Sequence, residues 1–241
     1  MKNAPFLTSI LALAACIPTF ANEEEANQND WIGEISTPNE TVQVGAVPSI
    51  TWNVTYPLTI DDLIVITGTN ITTKQQVVME VRLIGAGWGL KENFHYVDSH
   101  MDLGSGWTQI FFGDHHMVNA SEVIYSEPLP AGTSIDFGGR GGKDKPGPNP
   151  NQWSDWFKSN KIKGPNVVTL LNGDPAPQYD PAFDIQTAVE DYLTPYVNTT
   201  TETITLGPFQ VIYLFDFNTF GTKWYDLQDT GIIVTFSVIT T

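Results

Sequence analysis

The chain has 241 residues and a formal net charge of -16, from 27 acidic and 11 basic side chains. Its length predicts one globular domain or two small ones. The 41% hydrophobic and 12% aromatic content argues against a disordered chain, because burial of so much apolar surface offsets the entropy lost on folding. The acidic balance also argues against nucleic acid or an anionic membrane as a partner, except at a local basic patch.

The N-terminal segment has the pattern of an export signal. An apolar run at residues 6–17 is too short to span a bilayer, and small residues follow it before an abruptly acidic stretch. We therefore predict a signal peptide at residues 1–21, an acidic flexible N-terminus at 22–30, and a secreted or periplasmic protein. A lipid anchor is the alternative, because residues 13–16 resemble the lipobox of bacterial lipoproteins and would make Cys16 the lipidated residue. No later apolar run is long enough to cross a membrane.

Short apolar or alternating runs, bounded by Gly, Pro and Asn, predict strands along the rest of the chain. These runs are Ile50–Tyr56, Leu63–Thr67, Val77–Leu83, Thr108–Phe112, Val167–Leu171, Thr201–Leu206, Gln210–Phe217 and Gly231–Ile239. In the first run, period-two alternation places Ile50, Trp52, Val54 and Tyr56 on one half-buried face. The Gly207-Pro208 dipeptide predicts a hairpin between the two runs that flank it.

One helix is predicted near residues 184–193, where the apolar positions share a face, before Pro195. The fold class is therefore all-β, an antiparallel β-sandwich of jelly-roll or immunoglobulin-like type. Glycine and proline predict a long loop at 138–163, within a single domain at 31–241. The alternative organisation has two subdomains, at 31–137 and 164–241.

The predicted loop concentrates the positive charge of the chain. Between residues 140 and 163 there are six basic and two acidic side chains, and three large aromatic residues lie among them. Aromatic rings stack on sugars and cations pair with carboxylate or sulfate, so this composition suits an acidic polysaccharide or a protein partner. The predicted contact residues are Trp153, Trp156, Phe157, Arg140, Lys143 and Lys145. The alternative is that the aromatic residues only pin the loop to the sandwich.

All the histidines fall in one short stretch with several aspartates. Imidazole and carboxylate groups are ligands for zinc or copper, so this stretch is a candidate metal site. Its residues are His95, His100, His115, His116 and Asp114. The spacing matches no helical zinc motif, and ordinary surface or core histidines are the alternative.

A second candidate metal site lies near the C-terminus, where oxygen-bearing side chains flank a loop. Calcium binds six to eight oxygen ligands, and an exported acidic protein is a suitable host. The candidate ligands are Asp216, Asn218, Asp226 and Asp229. Turn formation and capping explain Asp and Asn equally well, and the series is not an EF-hand loop.

No catalytic signature is present. Residues 85–89 lack the spacing of a dinucleotide loop, and Ser105 lacks the glycine spacing of a nucleophile elbow. The sequence therefore favours an exported, non-catalytic binding or surface module, without a firmly implied cofactor. One alternative is a metal-dependent hydrolase that uses the histidine stretch. Another is a structural subunit whose edge strands pair with neighbours in a surface assembly.

Overall fold

A computed structural model describes residues 32–36, 51–90, 93–161, 165–177, 193–222 and 224–239. The chain divides into two compact units after Pro57. In the first unit, β1 (Ile32–Ser36) pairs antiparallel with β2 (Thr51–Thr55). The predicted strand is confirmed. The prediction that one of its faces is half-buried is wrong, because Trp52 is 69% exposed and Val54 and Tyr56 are exposed as well. Among the described residues of this unit, β2 pairs with β1 alone, and an isolated pair of strands buries little surface.

The second unit begins at Leu58, and nearly all of its regular structure is β. Its elements are α1 (Ile60–Leu63), β3 (Ile64–Thr67), β4 (Asn70–Thr73), β5 (Val77–Gly85), β6 (Gly89–Leu90), β7 (Asn93–Phe94), β8 (Val97–Asp102), β9 (Trp107–Gly113), β10 (Tyr125–Leu129), β11 (Ser134–Gly141), β12 (Phe157–Lys158), β13 (Val167–Leu170), β14 (Val197–Asn198), β15 (Thr203–Ile204), β16 (Gln210–Phe215) and β17 (Thr230–Val238), with single-turn 3₁₀ helices at His115–Met117 and Thr194–Tyr196. No helix in the described ranges is long and apolar enough to cross a membrane.

Two antiparallel sheets form the body of this unit. A five-stranded sheet has the order β10-β5-β17-β16-β13, and a six-stranded sheet has the order β3-β4-β11-β8-β9 with β12 beside β11. One core contains Val81 and Tyr213 from the first sheet and Ile71 and Phe137 from the second. The predicted all-β antiparallel sandwich is therefore confirmed.

The five-stranded sheet is also covered on its other face. There, Ile212, Leu214 and Ile233 pack in a second apolar cluster with Phe94 and Leu206. Burial on both faces explains why β16 and β17 are apolar almost throughout, whereas β5 alternates over its first six residues.

The hairpin predicted at Gly207-Pro208 is wrong. The strand after this turn, β16, pairs with β13 and β17, while β15 pairs with β14. The backbone N–H of Gly207 donates to Oε1 of Gln210 at 2.9 Å, which closes a turn leading into the middle of the sheet. The preceding strand is only Thr203–Ile204, shorter than predicted. Most of the helix predicted at 184–193 lies outside the described residues, with only its last residue inside them.

The loop predicted from residue 138 begins later, because β11 continues to Gly141. These strand positions are occupied by glycine because side chains from other elements fill the space that a Cβ would need. A Cβ on Gly139 would lie 2.8 Å from the Phe217 ring, and one on Gly141 would overlap the Trp88 ring. Glycine in a strand often marks such a close approach. β11 therefore continues as far as the segment that carries Trp153 and Trp156.

Candidate binding face

The face of the six-stranded sheet turned away from the core carries an aligned set of polar and aromatic residues. In the β11–β8–β9 register, Arg140 lies opposite Asp98, and Asp98 lies opposite Phe112. One step along, Gly138 lies between His100 on β8 and Lys158 on β12. Residues two apart on a strand share a face, so Asp98 and His100 point to the same side.

Asp98 is the buried anchor of this face, with 3% of its surface exposed. Its Oδ2 accepts hydrogen bonds from Nε and Nη2 of Arg140, at 3.0 and 2.9 Å. Its Oδ1 contacts Nε2 of His100 at 2.9 Å and accepts from Nε2 of Gln109 at 2.8 Å. Both ion pairs found in the described part of the chain involve this carboxylate. The guanidinium is therefore held in one orientation and its charge is compensated.

Three tryptophan rings surround the two cations of this face. The Arg140 Cζ lies 4.5 Å from the ring centroid of Trp153 and 4.6 Å from that of Trp156. The Lys158 Nζ lies 4.3 Å from the ring centroid of Trp107 and 5.7 Å from that of Trp156. These are cation–π distances. We name the five residues, Trp107, Arg140, Trp153, Trp156 and Lys158, the tryptophan platform.

The segment that carries Trp153 and Trp156 is fixed to β11 through Ser154. The Ser154 Oγ accepts from the backbone N–H of Gly141 at 2.9 Å, and the Ser154 N–H donates to the Gly141 carbonyl at 2.7 Å. Ser154 is only 6% exposed, so these bonds are shielded from water. Two rings of the platform are therefore held on a sheet rather than on a free loop.

The other end of the platform depends on Gly138. A Cβ at this position would lie 2.9 Å from the Trp107 ring and 3.1 Å from Cγ of Lys158. Ser159 then fixes the strand that carries Lys158, because its hydroxyl donates to Oδ1 of Asp136 at 2.7 Å and accepts from the Phe137 N–H at 3.0 Å. The missing side chain thus makes room for a tryptophan and a lysine to lie together on the sheet.

The structure brings together three of the six predicted contact residues, namely Arg140, Trp153 and Trp156. Phe157 packs against the core, with its ring 6.0 Å from that of Phe217, and Lys143 and Lys145 are exposed beyond the end of β11. Sequence reasoning did not single out Trp107 or Asp98, and it left Lys158 among the general basic residues. Only outward alternation along β8 and β9 could have suggested Asp98 and Trp107.

His95 and His100 lie in separate environments, whereas His115 and His116 are neighbours that both contact Phe94. His95 contacts the Gly142 carbonyl at 2.7 Å, and His100 contacts Asp98. His115 stacks on Phe94 at 4.5 Å, and Asp114 accepts from the N–H of His116 to cap the 3₁₀ helix. All the candidate ligands are among the described residues, and within that set no three His, Cys, Asp or Glu residues are placed to hold a metal ion.

Of the residues predicted to bind calcium, three form a buried group. Asp216, Asp226 and Asp229 are 0%, 8% and 3% exposed, and we call them the carboxyl cluster. Asn218 instead donates its side-chain amide to the carbonyl of Trp224 at 2.8 Å. The finding that no three such residues of the described part are placed to hold a metal ion includes these aspartates, and the calcium site stays a prediction.

Backbone N–H groups hold the carboxyl cluster. Oδ2 of Asp216 accepts from Asp226 and Leu227, Oδ1 accepts from Asn218, and Asp229 accepts from the N–H of Phe217. Burial, together with the negative charge of the neighbouring Asp216, raises the pKa of Asp226 from its ordinary value of 3.8 to about 7. Burial also raises the pKa of Asp216 and Asp229. These carboxyls therefore take up protons at a higher pH than exposed ones do.

No protein-family model, no curated protein and no solved structure matches this chain.

Proposed function

We propose that this protein is an exported, non-catalytic glycan-binding module whose ligand contacts the tryptophan platform. One observation carries the proposal: the buried Asp98 holds Arg140 over the rings of both Trp153 and Trp156. A ligand that meets these rings does not need to order them, so little conformational entropy is lost on binding. Export is proposed from the N-terminal sequence pattern alone.

Glycans fit this face better than a purely apolar ligand. The rings of Trp107, Trp153 and Trp156 are partly exposed and offer apolar surface for sugar C–H groups. Around them, the guanidinium of Arg140 and the exposed side chain of Gln109 offer hydrogen-bond donors. Flat rings surrounded by polar groups suit a ligand with apolar faces and hydroxyl edges.

The proposal is tested with the variant W153A/W156A, with W52A as the matched control. Trp52 is more exposed than any other large hydrophobic residue of the described part, and it lies in the other unit. Affinity electrophoresis through gels containing alginate, polygalacturonate, dextran sulfate, dextran or mannan gives a binding constant for each glycan. We expect retardation of the wild type and W52A by at least one glycan, and a loss of at least tenfold in affinity for W153A/W156A, with the fold checked by circular dichroism.

Two results would overturn the proposal. One is that no glycan of the panel retards the wild type. The other is that the double variant binds as tightly as W52A does, which would leave the rings with only a structural role.

A further inference from the structure

We propose that Lys158 is the residue of the tryptophan platform that recognises an acidic group, and that the ligand is a glycan bearing carboxylate or sulfate. This inference rests on the proposed glycan-binding function and specifies its ligand class. It assigns the charge recognition to one side chain that the sequence did not distinguish from its basic neighbours.

The charge of Arg140 is already compensated. Its Nε and Nη2 both donate to Asp98, and the Asp98 side chain is only 5% exposed. An incoming anion would compete with this carboxylate and lie close to its negative charge. Arg140 is therefore a poor receptor for an acidic group, and its part in the platform is to hold the rings of Trp153 and Trp156.

The charge of Lys158, in contrast, is not compensated by an ion pair with a described residue. Its ammonium lies over Trp107 and Trp156, yet it forms no ion pair and no hydrogen bond with any residue that the structure describes. A ring face attracts a cation but supplies no hydrogen-bond acceptor of the usual strength. The three donors of this ammonium are thus available to a carboxylate or sulfate.

The surroundings of Lys158 also favour an anion. Burial lowers the pKa of Lys158, and the positive charge of Lys161 lowers it further, whereas Asp102 raises it. A group that is partly removed from water and close to a second cation gains by pairing with a negative charge. The absence of a side chain at Gly138 lets Lys158 lie along the sheet, which keeps the ammonium beside the tryptophan rings.

The predicted cations Lys143 and Lys145 lack such positioning. Both are exposed in the turn after β11, and no hydrogen bond or ion pair of their side chains with a described residue fixes them. Exposed lysines attract a polyanion over a long range but are screened by salt. They serve as matched controls, because K143Q removes the same charge from the same region without touching the platform.

For each source of acid, the experiment compares an acidic glycan with a neutral glycan of the same backbone. Polygalacturonate is paired with its fully methyl-esterified form, and dextran sulfate with dextran. Binding of the wild type, K158Q, K158R and K143Q is measured by titration calorimetry at physiological salt, and thermal melts show that each variant is folded. We expect K158Q to lose about tenfold in affinity for the acidic member of the pair that binds, and to keep its affinity for the neutral member. K143Q is expected to change both affinities less than twofold, and K158R to keep most of the preference for acid.

The outcomes separate this inference from the function on which it rests. If K158Q and K143Q lose equal affinity for the acidic glycan, the inference is overturned. Binding would then depend on the net charge of the protein and not on Lys158 itself. Equal wild-type affinity for the charged and neutral members would also overturn it, while leaving the platform as a site for neutral glycans. If neither pair binds and W153A/W156A equals the wild type on every glycan, the proposed function itself fails.

Discussion

The tryptophan platform and the carboxyl cluster each hold ionisable groups away from bulk water, but they do so by opposite means. In the platform, one buried carboxylate compensates Arg140, and aromatic faces cover both cations. In the cluster, three carboxyls lie together, and backbone N–H groups are their main partners. Arginine keeps its proton at every physiological pH, whereas grouped carboxyls do not all ionise. Arg140 should therefore keep its charge as pH changes, and the cluster should titrate.

The largest expected effect concerns the carboxyl cluster and the pH dependence of the free energy of unfolding. Because the folded-state pKa of Asp226 is raised, its contribution to stability is complete below pH 3.8 and is lost as pH rises through about 7. Replacing Asp226 by Asn removes one ionisation, so we expect D226N to be more stable than the wild type at pH 8 by about 2 to 4 kcal/mol. Urea denaturation at pH 4, 6 and 8 measures this difference.

The control for D226N is D61N, which removes an exposed carboxylate from the same unit. We expect D61N to follow the wild-type pH profile within about 0.5 kcal/mol. A wild type that gains stability between pH 4 and pH 8 would contradict the assignment. A calcium-dependent rise in melting temperature at pH 8, absent from D226N, would instead show that a cation neutralises the cluster.

A smaller effect is expected from breaking the ion pair of the platform. The variant D98N keeps the shape of Asp98 but leaves the half-buried guanidinium of Arg140 without a counter-charge, at a cost of about 1 to 2 kcal/mol. A double-mutant cycle with R140Q isolates the pairwise energy, because R140Q/D98N removes both charges. Urea melts at pH 8 measure the coupling at a single pH, because Nε2 of His100 also contacts Asp98. A coupling indistinguishable from zero would remove the contrast between the two regions.

The smallest expected effect comes from the glycine that makes room for Lys158. The variant G138A places a methyl group against the side chains of Trp107 and Lys158 and 3.2 Å from the backbone carbonyl of Phe157, so we expect a loss of about 1 kcal/mol. The control is G33A, because a Cβ on Gly33 has nothing within 4 Å. Tryptophan fluorescence should change in G138A and not in G33A. Identical spectra for G138A and the wild type would show that the rings do not depend on this glycine.

The sequence predicts the sandwich well, because burial in strands leaves a local pattern. Alternation or continuous apolarity in residues 77–83 and 231–239 predicts β5 and β17, which the structure places at Val77–Gly85 and Thr230–Val238. The pairing partners do not follow, and this is why the hairpin at residues 207–208 was wrongly predicted. The pairing partners of a strand depend on which strands are buried on both faces, and that burial is a property of the whole sheet.

The candidate site was predictable only in part. The basic, aromatic composition of the loop pointed to Arg140, Trp153 and Trp156. Asp98 and Trp107 belong to the site only through cross-strand register, which a single sequence does not display. The strand at Gly138 to Gly141 was hidden for the same reason, because its glycines are explained by rings that come from distant parts of the chain.

The carboxyl cluster also bears on the formal charge of -16, which assumes that every acidic side chain is ionised. With the pKa of Asp226 raised to about 7, the folded protein retains acidic protons near neutrality that the unfolded chain gives up. Folded protein should therefore migrate in an electric field as a less acidic particle than its composition implies. Unfolding at pH 7 should release protons into the solution, and the heat measured for it should vary with the ionisation enthalpy of the buffer.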